Sequence, residues 1–279
     1  MTDSALDGPR YVHGHHASVL AAHGTRTAAD SAAYLLPHLR PGMRVLDVGC
    51  GPGTITLDLA AAVATADSTS SPLVVGVDSA PAAIEAARAE AIRRGDVTTR
   101  FETADVACLP YEGGSFDVVH AHQVLQHLVD PVGALAEMAR VVAPGGIVAV
   151  RDCDYGSMRW WPDHSGLDAW RTVYRALTRA HGVHCDAGRR LRGWARRAGF
   201  AEVTVSATCW WYADEQGTTW WANTWARRAV ESSFAEQARD LGLADEAQLA
   251  RIADAWREWG ADPDAYFSMT HGEILARVA

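Results

Sequence analysis

Three glycines at every second position, Gly49, Gly51 and Gly53, follow an apolar run that carries Asp47 in VLDVGCGPGTITLDLA (45–60). Bare backbone where a strand turns into a helix permits tight turning and lets a ligand approach the peptide groups. A second acid, Asp78, ends the run LVVGVD (73–78), where a carboxylate can accept both hydrogen bonds of a ribose diol. His127 lies four residues after Gln123, so a helical turn would set both on one face. Asp152 lies in RDCDY, at the end of another apolar run. A histidine and an aspartate at one edge could take a proton from a bound molecule. Each group also has a plainer reading. The glycines could make a simple turn, Asp78 could cap a helix, His127 could bond its own loop, and Asp152 could face solvent.

Positioning these groups requires elements that end at one edge. Residues 17–40 carry helical spacing closed by Pro41 and Gly42. Strands are predicted at MRVLDVG, 73–78, 98–105, 115–123 and 147–154, with helices over TITLDLAAAVA, 81–95 and DPVGALAEMARVV between them. That alternation predicts a parallel sheet with right-handed crossovers and ligands at the carboxyl ends of its strands. After residue 155 the pattern loosens to a helix over 186–200 and a sixth strand over 201–213. Residues 214–262 read as helical and Trp-rich, and 266–278 as a seventh strand. The expected fold class is α/β: a Rossmann-like, seven-stranded, mostly parallel sheet with helices on both faces. Its expected parts are N-terminal lid helices (1–40), a core (41–213), an inserted helical cap (214–263) and a final core strand (264–279).

Composition narrows the function classes. The 279 residues carry a formal net charge of −9, which disfavours a nucleic-acid partner. No apolar run is long enough to span a bilayer, and the polar N-terminus has no signal-peptide core, so no membrane partner is expected. The five scattered cysteines form no CxxC pair and predict reduced thiols and a cytoplasmic location. YVHGHH (11–16) could hold a metal, but no acidic partner stands at a matching spacing, so no metal is predicted.

Two cofactor classes use a glycine-rich strand–helix junction. The dinucleotide fingerprint G-x-G-x-x-G does not fit, because the third glycine arrives one residue early at Gly53. The run VLDVGCGPG (45–53), VVGVD (74–78), TADVACLPY (103–111), FDVVHAHQVLQHLVDP (116–131) and ARVVAPGGIVAV (139–150), in this order, resembles the class I S-adenosylmethionine-dependent methyltransferases. The likeness is strong over residues 41–155 and, across the chain, points to the small-molecule branch of quinone biosynthesis and natural products. It implies S-adenosylmethionine as cofactor, with S-adenosylhomocysteine as product. Gly49, Gly51 and Gly53 would line its methionine part, Asp47 would orient the loop, and Asp78 would hold the ribose. Asp105 and Val106 would meet the adenine, and His122 and Gln123 would pass near the sulfonium. His127 and Asp152 would face the methyl acceptor, one of them as base. Glutamate stands in some relatives where this chain has Gln123, so Gln123 itself is not expected to move a proton.

Two further groups fit that picture. Tyr11 could cover the sulfonium as part of a lid, and Arg26 could pair with the methionine carboxylate or lie solvated. The chain has 11 tryptophans, clustered in RWWPD, CWWYA, TTWWANTWA and AWREWG. They could fill a core or form an apolar acceptor pocket for a ring, an isoprenoid or a cationic amine. The expected reaction is methyl transfer to a small, largely apolar or aromatic metabolite, with O-, N- or C-methylation and homo-oligomerisation both left open. The alternatives are an RNA or protein methyltransferase, a nicotinamide oxidoreductase and a non-catalytic cofactor-binding module.

Overall fold

The structure, a computed structural model, describes residues 26–65 and 73–279. One sheet organises the chain. Its strands are β1 (Val45–Val48), β2 (Val74–Asp78), β3 (Arg100–Thr103), β4 (Phe116–His122), β5 (Val142–Cys153), β6 (Arg159–Trp161), β7 (Glu202–Tyr212) and β8 (Tyr266–Arg277). The order is β3-β2-β1-β4-β5-β8, with β3 to β5 all parallel and β8 antiparallel to β5. β7 pairs along the far side of β8, while β6 takes the place of β5 beside the first residues of β8. The expected α/β class and mostly parallel sheet are present, with the short β6 added as an eighth strand.

Nine helices accompany the sheet among the described residues: α1 (Ala28–Ser31), α2 (Thr54–Val63), α3 (Pro81–Arg94), α4 (Pro131–Val141), α5 (Ser165–Ala180), α6 (Leu191–Arg197), α7 (Glu215–Glu231), α8 (Ser233–Asp240) and α9 (Glu246–Gly260). α3 begins at Pro81, whose missing N–H costs nothing there, and ends on left-handed Gly95. The continuous helix expected over 17–40 is not formed in its described part. A capping box of Thr27 and Asp30 starts the short α1, and Pro37 sits in a separate 3-10 turn, Leu36–His38. The helix expected over 186–200 shortens to α6 behind a 3-10 turn, because Gly188 packs backbone to backbone on Gly272.

Two cores flank the sheet. Leu46, Val119, Val148 and Ile274 point to the side of α4 and α6. Val45, Val118, Ala149 and Leu275 point to the side of α1 and α2. A third core holds the tryptophans. Trp170 of α5, Trp221 and Trp225 of α7, and Trp256 and Trp259 of α9 pack with Met158, Phe234 and Phe267. The 214–262 block is helical, as its pattern predicts, but α5 is an equal part of this cluster and was not anticipated. Such aromatic packing contributes area burial plus about 0.5–1.5 kcal/mol per well-placed ring pair.

Candidate active site

The glycine loop leaves β1 with Gly49, Gly51 and Gly53 at φ of 67°, 53° and 79°, the left-handed region. The three do different things. A Cβ on Gly49 would stand 2.4 Å from Val124 Cγ2, and one on Gly53 would stand 2.9 Å from Ala87 Cβ and Phe101 Cζ. Those two glycines let protein pack on the loop. A Cβ on Gly51 would meet nothing within 4 Å among the described residues, so the Cα face of this glycine is open there. Asp78 holds this turn: its carboxylate accepts the Gly51 N–H at 3.0 Å and the Ala80 N–H at 3.0 Å. Each oxygen keeps a further lone pair, so the half-buried carboxylate can still accept from a ribose diol. Asp47 is buried, bonded by Thr56 Oγ1 at 2.5 Å and by His120 Nδ1 at 2.7 Å. It ties β1 to the first turn of α2 and to β4, which fixes where the loop begins. Beyond β3, Asp105 is exposed and accepts the Ala107 N–H at 2.9 Å, while the Val106 side chain is buried.

The end of β4 is the second wall. Gln123, at φ 56°, is the one non-glycine residue with positive φ among the described residues. Its Oε1 accepts from Arg26 Nη2 at 3.0 Å, and its Nε2 lies 2.9 Å from His271 Nε2. Because an amide nitrogen only donates, His271 Nε2 is the acceptor and its ring proton sits on Nδ1. His122 is buried with neither ring nitrogen bonded among the described residues. Burial first, and the Arg26 and Arg151 charges next, hold His122 well below its ordinary pKa, and burial does the same to His271. Both rings are neutral at pH 7. Beneath them, Arg151 meets Glu273 at 3.2 Å, both almost completely buried, and Glu273 also accepts from Ser206 and Thr208. The Arg26 and Arg151 guanidiniums lie 5.2 Å and 5.0 Å from the Trp210 ring centre.

His127 and Asp152, expected to flank the methyl acceptor with one of them as base, differ in setting: His127 is partly exposed and Asp152 fully buried. The left-handed turn at Gln123 and the 3-10 turn Leu125–His127 break the helical spacing, so Gln123 and His127 do not share a helix face. His127 Nε2 lies 3.0 Å from Gln126 Nε2, and burial together with Arg26 pulls its pKa down to about 3, which makes it a weak base. Asp152 lies within β5 with 0% exposure, and its two oxygens accept the Leu125 and Gln126 N–H groups at 3.2 Å and 3.3 Å. Burial, outweighing those two bonds and Arg151, pushes it up to about 8. Its carboxylate holds the turn after β4. Tyr11 and the histidines of YVHGHH lie outside the described residues.

A cavity of about 270 Å³ opens beside Gln123, walled by Arg26, Tyr155, Trp210, Tyr212, Trp220 and Trp225 among others. Neither His127 nor Asp152 lines it. The cavity and the glycine loop share a wall, since Gln123 borders the first and its neighbour Val124 packs on Gly49 of the second. Sequence reasoning missed His271 and Glu273. The signal was available, because two polar residues two apart in a strand share a face.

Comparison with known proteins adds the family. A model described as "Methyltransferase domain" matches residues 39–199. An uncharacterised methyltransferase of Schizosaccharomyces pombe is 33% identical over 274 residues, covering 95% of both chains. The 27-O-demethylrifamycin SV methyltransferase of Amycolatopsis mediterranei is 37% identical over 147 residues, 52% of this chain and 49% of that one. Among solved structures, a Haemonchus contortus phosphoethanolamine N-methyltransferase in complex with S-adenosyl-L-methionine superposes with a TM-score of 0.51 at 17% identity. The alignment covers 85% of this chain and 49% of that one, and at that identity it speaks for the fold alone. No helix among the described residues is long and apolar enough to cross a membrane. The open Cα face of Gly51 and the strand-end carboxylate of Asp78 fit a nucleoside-bearing cofactor, and with the family match over most of the sheet they make this chain a member of the S-adenosylmethionine-dependent methyltransferases.

Proposed function

We propose that the protein methylates a small, largely apolar or aromatic metabolite held in the Trp-walled cavity. One observation carries the reading: Gln123 lines that cavity, and the next residue, Val124, packs on Gly49 of the glycine loop. The name of the Amycolatopsis relative, a 27-O-demethylrifamycin SV methyltransferase, supports the same acceptor class. Bound S-adenosylmethionine supplies an electrophilic methyl group on a sulfonium. In this reading Asp78 accepts from the ribose hydroxyls, the Gly49–Gly53 loop lies along the methionine part, and Asp105 with the Val106 backbone borders the adenine. Arg26 would pair with the methionine carboxylate, and His122 and Gln123 would border the sulfonium. Gln123 is held from both sides, by Arg26 and by His271, so its side chain is a fixed wall between the two sites.

The chain's main contribution is then positioning in a water-poor aromatic site. Asp30, in the cavity wall, is committed to Thr27 and Ser31. The free thiols of all five cysteines support a cytoplasmic location. The test is a screen of apolar and aromatic metabolites with methyl-labelled cofactor. Label in an organic-extractable product is expected, and Trp220→Ala should raise the acceptor KM while cofactor affinity stays constant. Label recovered only in RNA or protein would refute the proposal.

A further inference from the structure

A second cavity, of about 280 Å³, lies between the end of α5 and the 3-10 turn that precedes α6. It shares no lining residue with the aromatic cavity. Its wall carries Arg175, Arg179, Arg190 and His184 against one acid, Asp186. This is the centre of a wider segregation of charge. Residues 171–197 contain eight arginines and one acid, in a chain whose net charge is −9.

The cavity is a built feature. Asp186 is 7% exposed, accepts the Gly156 N–H at 2.7 Å and pairs with Arg175, which fixes that guanidinium at the rim. Gly156 brings its backbone against this corner, where Arg189 Nη2, Asp186 Oδ1 and Arg175 Nη1 stand closest to its Cα face. Arg179 and Arg190 have no carboxylate partner among the described residues, although other arginines of the segment do, such as Arg171 with Asp168 and Arg189 with Asp154. Arg190 instead reaches His184 Nδ1 at 3.5 Å. After Asp186 offsets one guanidinium, two exposed ones without a carboxylate partner among the described residues line a concave space.

We propose that this cleft binds a small molecule carrying a phosphate or diphosphate group. Guanidinium forks match phosphate oxygens in geometry and charge, and a concave site concentrates the field of two such groups. A cavity of this volume exceeds one phosphate and has room for a diphosphate or for a phosphate with part of an organic carrier. The site is separate from the methyl-transfer centre but touches it through the backbone: the Tyr155 N–H donates to Cys185 O at 3.1 Å, and Tyr155 walls the aromatic cavity.

The experiment is calorimetric titration of the full chain with inorganic pyrophosphate at low salt, repeated with a nucleoside diphosphate. Saturable binding is expected, weakened at least tenfold in Arg179→Ala/Arg190→Ala. Arg196→Ala/Arg197→Ala, which removes the same charge from the far end of α6, should bind within about threefold of the parent. S-adenosylmethionine affinity should be unchanged in both, which shows that they fold. Tighter binding of the nucleoside diphosphate than of pyrophosphate would mean that the phosphate arrives on an organic carrier, and equal binding that the free anion suffices. Lack of heat at millimolar pyrophosphate, or equal losses in the two double variants, would overturn the site. So would a short DNA duplex that binds more tightly than either and needs both arginine pairs.

Discussion

Asp152→Asn separates a base at the active site from a strut beneath it. In the folded protein Asp152 titrates near 8, pushed up by burial, whereas an unfolded aspartate titrates near 3.9. A folded pKa raised above the unfolded one gives stability that is complete below about pH 4 and is lost as pH rises to about 8. Each pH unit in that window costs up to about 1.4 kcal/mol, so the ceiling is about 5 kcal/mol. Asparagine has no such titration. It does have a cost of its own: the two oxygens of Asp152 each accept one backbone N–H, and an amide leaves one of those donors facing an NH2 group. An unsatisfied buried donor costs about 1–3 kcal/mol. Urea unfolding from pH 5 to pH 9 should therefore show the variant less stable than the parent at pH 5, with the gap closing or reversing by pH 8.5. S-adenosylmethionine affinity at pH 7 should change little. Parallel pH profiles for the two proteins would refute the buried, raised carboxylate. A fall in turnover of about 10²–10⁴-fold with stability unchanged would restore Asp152 as the base.

Asp78→Ala should weaken S-adenosylmethionine binding by about 1–3 kcal/mol in calorimetry, since it removes the carboxylate proposed to accept from the ribose diol and the bond to the Gly51 N–H. Gly51→Ala and Gly53→Ala should differ in kind. Gly53→Ala adds a clash with Ala87 and Phe101 to its backbone strain and should cost about 2–4 kcal/mol of stability, whereas Gly51→Ala should cost only the strain, about 1–2 kcal/mol, and lose cofactor affinity. Equal stability losses in thermal melts would contradict the packing assigned to Gly53. Glu273→Gln leaves the Arg151 guanidinium buried without its counter-charge and should destabilise by about 3–5 kcal/mol in chemical denaturation. A loss below about 1 kcal/mol would show that Ser206 and Thr208 suffice to hold the charge.

The parallel half of the sheet was legible because each strand end carried its own punctuation. Gly49 to Gly53, Asp78 with Pro81, and Asp130 with Pro131 mark turns whose chemistry is local. α5 was not legible in the same way. Its buried face, Leu167, Trp170, Val173, Tyr174 and Leu177, has helical spacing, but its N-cap is His164, whose ring nitrogen accepts the Gly166 N–H in place of the usual hydroxyl or carboxylate. β6 has three residues, too few for an alternating pattern to stand out. At the site, residue types were readable and directions were not. Asp152 and His127 stand at the expected edge, yet the left-handed Gln123 turns the following segment so that Asp152 braces it from below. Nothing local to Gln123 announces a positive φ. His271 escaped notice because its partner, Gln123, is 148 residues away in sequence.

The placement of β8 has a consequence for how the molecule assembles. β8 comes last in chain order among the strands, yet it lies between β5 and β7, pairing Ile147 with Arg277 on one side and Glu202 with Arg277 on the other. Until it docks, β5 and β7 each present a bare strand edge, and Arg151 waits in an apolar setting for a carboxylate that only β8 can bring. Closing such distant pairs is slow, and open edges invite pairing between molecules. The order of arrival therefore sets a window of vulnerability: crowding or heat during folding is more dangerous to this chain than either is once Glu273 has reached its cation.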